Sequence, residues 1–406
     1  MVGKWPSVEI GSVADIYDGP HATPPMVEDG PIFLGIDALD DGRLNLDCAR
    51  HVSEEIFRDW TRRVVPTAGD LVFSYETRIG QAALIPPGLR CCLGRRLGLV
   101  RPKSEGLNSR YLLYYYLSPS FQDHLRAHTK PGSTVDRIHL NDFPRFPIAM
   151  PPRRHQDEIA DLLGSLDDKI ELNRRMAETL EAMARALFKS WFEASGEAGS
   201  VVVQSWIDSG ILQIGDGYRA KNDELAAPGL PFLRAADING GIDTATADTL
   251  SQASVSKAGS KVSRPGDVAF TSKGTVGRFA RVDDRTLKFV YSPQVCFWRS
   301  LDPVRLHPAL LYLMMRSPAF RAQIDTAAGQ TDMAPYVSLQ DQRRMVLPTL
   351  PPDQGRFGEQ LQAFLSQQAG LRDESRTIAT LRDTLLPKLI SSQLAIADAE
   401  VQVSAA

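Results

Sequence analysis

This sequence is poor in the residues on which catalysis and metal binding usually rest. Among 406 residues there are four cysteines and seven histidines. Cys48, Cys91, Cys92 and Cys296 show no CxxC spacing and no histidine cluster nearby. That excludes a zinc ribbon or a disulfide frame and suits a reducing compartment. No G-x-G-x-x-G or G-x-x-x-x-G-K-[ST] is present, so no dinucleotide or nucleoside triphosphate cradle is expected. The Pro-Pro pairs begin at Pro24, Pro86, Pro151 and Pro351, and none precedes an aromatic residue. The Asn/Asp-Pro-Pro-aromatic stretch of amino-methyl transfer is therefore missing. No run of about 18 apolar residues offers a membrane span. The first residues, MVGKWPSVEIGSVADIYDG, lack the basic-then-apolar pattern of a signal peptide. The expectation is a cytoplasmic chain with no membrane partner, no cofactor, no metal and no catalysis of its own.

Charge of one sign is lacking too. Lys and Arg number 46 against 49 Asp and Glu, a net charge of −3. Residues 1–150 carry 17 basic and 18 acidic side chains, and 196–350 carry 17 and 15. A uniformly cationic nucleic-acid binder is excluded. Any surface for phosphates has to come from local clustering.

What the chain does have is an internal repeat. GDLVFSYETRIG (69–80) returns as GDVAFTSKGTVG (266–277), and LLYYYLSPSF (112–121) returns as LYLMMRSPAF (311–320). IYDG (16–19), PIFLG (31–35), AMPP (149–152) and ETLEAMARALFKS (178–190) have partners at 214–217, 230–234, 349–352 and 379–391. The matches keep their order at shifts of 197 to 201, which chance similarity does not explain. Two copies of a block of about 200 residues follow, each a globular head and then a helix. Short strand-like runs bounded by Gly and Pro, with helical stretches broken at Ser-Pro, make each head mixed α/β.

Each helical segment starts after Pro-Pro, a pair suited to a helix's first turn. In the first, Ile159, Leu163, Leu166, Ile170, Asn173, Ala177, Leu180, Ala184, Leu187 and Trp191 follow a 4,3,4,3 spacing. In the second, Leu361, Phe364, Gln368, Leu371, Ser375, Ile378, Arg382, Leu385 and Leu389 continue it with more polar members. These are heptad seams, in which Asn173 is the register-fixing polar residue. A helix of about 40 residues spans roughly 60 Å and cannot bury such a stripe alone. The favoured reading pairs the two seams antiparallel, as a rod between two heads; the plainer one makes them separate core helices. Trp191 and Phe192 either seal the rod's end or dock a partner. The expected order is a head over 1–150, a helix over 151–195, a head over 196–350, a helix over 351–395 and an unordered tail over 396–406.

A duplicated head on a rigid spacer presents two recognition surfaces at a set distance, as equivalent faces of duplex DNA recur about every 34–36 Å. The loops differ where the framework is kept. Ser74-Tyr75-Glu76-Thr77-Arg78 answers to Thr271-Ser272-Lys273-Gly274-Thr275, and Pro20-His21-Ala22-Thr23 to Tyr218-Arg219-Ala220-Lys221. One scaffold with two polar loop sets fits the reading of two short sequences.

The run PPRRHQDEIADLLGSLDDKIELNRRMAETLEAMARALFKSWF resembles the central conserved region of specificity (S) subunits of type I restriction–modification systems. IATLRDTLLPKLISSQL looks like that family's distal conserved region, and the alternation of variable heads with conserved helices matches across the chain. The resemblance implies an α+β fold: two pseudo-two-fold-related mixed α/β target-recognition domains joined by two long helices in an antiparallel coiled coil. It implies that each head reads half of a split site in double-stranded DNA. It also implies docking of two modification (methyltransferase) subunits and of a restriction (translocase–nuclease) subunit. Adenine methylation and ATP-dependent cleavage would belong to those partners. The second helix departs from the first, with DQGRFGEQ in place of RRHQDEIA.

The candidate DNA contacts in the first head are His21, Thr23, Ser74, Tyr75, Glu76, Arg78, Lys130, Ser133 and Thr134. In the second they are Tyr218, Arg219, Lys221, Thr271, Ser272, Lys273, Thr275, Gln330 and Thr331. Arg and Lys suit guanine, Gln adenine and Glu cytosine, and hydroxyls and backbone in KPGST suit phosphate. Arg95, Arg96, Arg101 and Lys103 form a basic run that is either phosphate-binding or a charged sheet edge. Asp167-Asp168-Lys169 resembles a nuclease triplet, but its place on the heptad helix makes a charged outer face the plainer account. A two-headed protein scaffold that reads no DNA is the rival from another class.

Overall fold

The computed structural model describes residues 5–47, 49–131, 135–194, 199–329, 334–351 and 354–404. They form two compact units, 1–172 with 374–406 and 173–373. The first unit contains β1 (Ser7–Glu9), β2 (Ala14–Asp18), β3 (Val27–Leu34), β4 (Arg50–His51) and α1 (Glu54–Trp60). Then come β5 (Leu71–Ser74), β6 (Ala82–Leu84), β7 (Cys91–Leu93) and β8 (Leu97–Pro102). They are followed by α2 (Ser109–Leu117), α3 (Pro119–His128), β9 (Pro147–Ala149) and the start of α4 (Arg153–Ala194). An antiparallel sheet runs β2-β8-β5-β6, a second runs β4-β3-β7, and β1 pairs with β9.

The second unit repeats that order. It holds β10 (Ser200–Val202), β11 (Leu212–Gly215), β12 (Gly229–Leu233), β13 (Thr249–Ser251) and α5 (Gln252–Ala258). β14 (Val268–Thr271), β15 (Phe279–Arg281), β16 (Val290–Tyr291) and β17 (Val295–Ser300) follow. α6 (Pro308–Met315), α7 (Pro318–Ala328), α8 (Leu339–Arg344), β18 (Val346–Pro348) and α9 (Gln354–Ile390) complete it. The sheets β11-β17-β14-β15, β13-β12-β16 and β10-β18 match those three of the first unit strand for strand, and the first unit adds a short pair, Leu39–Asp40 with Arg43–Leu44. At both Ser-Pro breaks the serine caps the next helix, with Ser118 Oγ accepting from Phe121 N and Ser317 Oγ from Phe320 N.

Each unit takes half of each long helix. In the first, Ile159, Leu163 and Leu166 of α4 share a core with Leu385 and Leu389 of α9. Arg382 reaches Asp167 at 2.6 Å, and Lys169 reaches Glu374 at 3.2 Å. In the second, Ala184 packs with Leu361 and Leu365, and Trp191 stacks on Phe357 at 4.5 Å. There Gln368 donates to Ala177 O (3.2 Å) and to Glu181 (2.7 Å). In both, α9 numbers fall as α4 numbers rise, so the helices pair antiparallel. Gln368 and Arg382, polar members of the seam, make specific bonds between helices.

Three expectations need correction. Leu187 is exposed at 42%, because Phe188 and Trp191 take the inward side of that turn. Residues 396–404 do not lack order. They form α10 (Ile396–Ser404), whose Ala399 is fully buried and whose Ile396 and Val403 pack on the first unit's core. The basic run is no continuous sheet edge, because Arg95 and Arg96 turn between β7 and β8, with φ of 73° at Arg96, and β8 lies inside its sheet.

Candidate nucleic-acid interface

In the first unit, four stretches converge at one end of the β2-β8-β5-β6 sheet. β2 ends at Asp18, whose carboxylate accepts from the Tyr75 hydroxyl at 2.8 Å and lies 2.9 Å from His21 Nε2. Burial, and then Asp18, pushes the Tyr75 phenol well above its usual range, so it stays a donor. Ser74 is buried and its Oγ donates to Glu76 O at 2.7 Å. Glu76 pairs with Arg96 at 3.2 Å. Residues either side of the Ser133–Thr134 stretch are stitched on through their backbone: Ile138 N donates to Tyr75 O at 2.9 Å, and Lys130 and Arg137 exchange both main-chain bonds.

That geometry sorts the candidates. Ser74 and Tyr75 are withdrawn as contacts, since both are buried and hold the loop's shape. Glu76 is tied to Arg96, and Arg78, half-buried, donates to Ile36 O at 3.2 Å. His21 and Thr23 are exposed, as is Lys130, which lies 3.3 Å from Asp142. Ser133 and Thr134 lie outside the described residues.

The second unit builds the same end from different side chains. Thr271 and Ser272 are buried, Thr271 Oγ1 donating to Thr275 O at 2.6 Å and Ser272 N to Gln294 O at 2.9 Å. They too are withdrawn as contacts. Val337 N donates to Ser272 O at 2.9 Å, and Lys273 bridges Tyr336, as Glu76 bridges Arg137 in the first unit. Lys273 and Thr275 point out, and no ion pair of Lys273 occurs among the described residues. Arg219 is 83% exposed and only loosely paired to Asp216, at 4.0 Å. Tyr218 is half-buried with its hydroxyl on Glu224, and Lys221 donates its backbone N–H to the same carboxylate at 3.0 Å. That N–H, with the Lys257 ammonium, holds the Glu224 carboxyl down at about 2. Gln330 and Thr331 lie outside the described residues.

The model of the type I restriction modification DNA specificity domain matches residues 23–182. The MjaIX specificity subunit of Methanocaldococcus jannaschii is 23% identical over 367 residues, covering 86% of this chain and 82% of that protein. The HindI specificity subunit of Haemophilus influenzae is 31% identical over 96 residues, 23% of this chain and 21% of that one. The crystal structure of the type I restriction–modification S subunit from M. genitalium shares the fold, with a TM-score of 0.62 at 15% identity over 95% of this chain and 96% of that one. The chain is similar to type I restriction–modification specificity subunits.

In this chain the carboxylates that resemble a nuclease triplet are engaged in structure. Asp167 accepts from the Tyr114 hydroxyl and Arg382, both at 2.6 Å, and Asp168 from Arg110 at 2.6 Å. Among the described residues no cluster of His, Cys, Asp and Glu is arranged to hold a metal. Burial pushes the Cys91 and Cys92 thiols up to about 12, so neither is a ready nucleophile. Among the described residues no helix is long and apolar enough to cross a membrane.

Two exposed residues at the convergence escaped the sequence reading, Arg137 and Tyr336. They stand 199 apart, the repeat's own shift, so aligning the repeats beyond KPGST would have paired them. Arg95 is also exposed there. Arg101 belongs to the framework, bonded to Asp70 at 2.8 and 2.5 Å.

Proposed function

We propose that this chain is the DNA-reading subunit of a type I restriction–modification complex, each head reading one half of a split site. The observation that carries this is the pair of equivalent loop clusters, on identical sheets, presenting different polar side chains. In the first head His21, Thr23, Arg95, Lys130 and Arg137 face solvent, and in the second Arg219, Lys221, Lys273, Thr275 and Tyr336 do. Lys and Arg among them would follow phosphates, which positions the heads, while base-edge contacts of about 1–3 kcal/mol each would set the sequence. Linking two weak half-site readers raises overall affinity through effective concentration.

The methyltransferase and nuclease chemistry belongs, in this reading, to two modification subunits and a restriction subunit that dock on the chain. Met176, Met183 and Leu187 form an exposed apolar stripe on α4 at 39%, 44% and 42% exposure. A flexible, Met-containing face of this kind suits a protein partner. The test is methylome sequencing of a host that carries this gene. One split adenine-methylation motif that disappears on deletion of the gene is the expected result. An unchanged methylome would overturn the reading and favour a scaffold role.

A further inference from the structure

The second unit contains a cavity of about 320 Å³ whose wall includes five arginines. Arg185 of α4, Arg278 ahead of β15, Arg316 just after α6, Arg321 of α7 and Arg372 of α9 all line it. Five separate segments thus bring five guanidinium groups to one space. A single carboxylate on that wall, Glu181, answers them. Arg185, Arg316 and Arg372 reach it at 2.5, 2.6 and 3.4 Å, and Arg321 has its own partner, Asp325, at 3.0 Å. Positive charge therefore exceeds negative charge around one half-open space. Such convergence is unfavourable unless an anion joins it.

The other repeat supplies the internal control. By the shifts of 197 and 199, Arg278, Arg316 and Arg321 correspond to Gln81, Leu117 and Gln122. Gln122 Nε2 donates to Gly80 O at 3.1 Å, and Arg321 donates to the equivalent Gly277 O at 2.8 Å. A neutral amide makes the same framework bond, so the scaffold does not require the charge. Gln81 bonds twice to Asp41, at 2.8 and 2.6 Å, whereas Arg278 bonds Ile238 O once, at 3.2 Å. Among the described residues each cavity arginine bonds through one or two of its three guanidinium nitrogens, which leaves N–H groups for a ligand.

We propose that this cavity is a receptor for a phosphate group. Planar guanidinium forks from several directions match the tetrahedral array of phosphate oxygens, and charge-assisted bonds of this kind are among the strongest available. The volume, at the small end of ligand pockets, suits a phosphate with its immediate substituents. Two sources carry that chemistry, the backbone of DNA and a free phosphate compound. The DNA arm of the test rests on the function proposed above; the pyrophosphate arm does not, so the two ideas fail separately.

The experiment titrates pyrophosphate into the full chain by calorimetry, at ionic strength held constant with sodium chloride. Variants R278Q and R321Q each install the side chain of the other repeat. Saturable binding is expected, weakened about tenfold or more in each variant, with unliganded melting temperatures within about 2 °C of the parent. If R321Q melts early, R278Q, which gives up a single main-chain bond, decides alone. A short duplex that displaces pyrophosphate assigns the site to the DNA backbone, and one that leaves it bound assigns a free phosphate compound. Absence of saturable binding to the folded parent, unaltered affinity in R278Q, or capture of an acidic peptide in place of pyrophosphate would each overturn the proposal.

Discussion

Asp267 and Arg299 form an ion pair with 0% and 4% side-chain exposure, while the equivalent Asp70 and Arg101 are 3% and 32% exposed. One framework position therefore carries the same pair in two solvent environments. Asp267→Ala strands a buried guanidinium and should cost about 3–5 kcal/mol. Asp70→Ala leaves Arg101 able to reach water and should cost clearly less, by urea unfolding of the two variants. Equal losses would show that exposure does not govern this pair. Glu181 gives a pH prediction. Burial alone would raise its carboxyl, yet Arg316, the Gln368 amide, Arg185 and Arg372 hold it below the ordinary 4.5. A depressed carboxyl adds stability above its unfolded-state value and loses it as pH falls through the folded one. Glu181→Gln should therefore melt earlier than the parent near neutral pH, and the gap should narrow as pH drops from about 5 toward 3. The residue scale is also where the sequence was least legible. Ser74, Tyr75, Thr271 and Ser272 read as loop polars, but they close the strand ends by bonding to backbone or to Asp18. A hydroxyl looks the same in sequence whether it faces a ligand or an internal carbonyl.

The helices were the most legible elements, because a 4,3,4,3 apolar spacing has one physical meaning on a 3.6-residue turn. Leu163 and Leu166 are buried at 0% and 5%, and Asn173 at 0%. Where the seam meets large aromatic side chains the pattern slips, so Phe188 and Trp191 turn inward and Leu187 outward. Leu163→Ala should cost about 2–5 kcal/mol through lost burial and the cavity it leaves. Leu187→Ala should change stability by no more than about 0.5 kcal/mol while weakening co-purification with a modification subunit. Thermal melts paired with pull-downs check both halves, and a large melting shift for Leu187→Ala would refute its outward placement. The order in α10 was not foreseen. Its residues 396–404, IADAEVQVS, are too few to hold a helix alone in water, and only the core that receives Ala399, Ile396 and Val403 explains the helix.

At the scale of the molecule, the binding reading predicts a salt signature. Lys273→Ala with Arg219→Ala should weaken binding of the whole chain to DNA about equally across sequences. It should also lower the slope of log affinity against log salt by about two. Fluorescence anisotropy at several salt concentrations measures this, and an unchanged slope would remove both residues from the phosphate contacts. The sequence by itself determined that the chain holds two copies of one fold, since a conserved framework leaves its Gly, Ser-Pro and strand patterns at a constant shift. It also determined the heptad periodicity, which is local. Only the tertiary structure decided that the compact units are not the repeats. Residues 1–172 join 374–406, and 173–373 form the other unit, so both long helices are shared between units near their middles. Antiparallel pairing is the reason: it sets the beginning of one helix beside the end of the other. Leu163 then shares its core with Leu385 and Leu389, more than two hundred residues away, a choice made by packing across the chain and not by any neighbour in it.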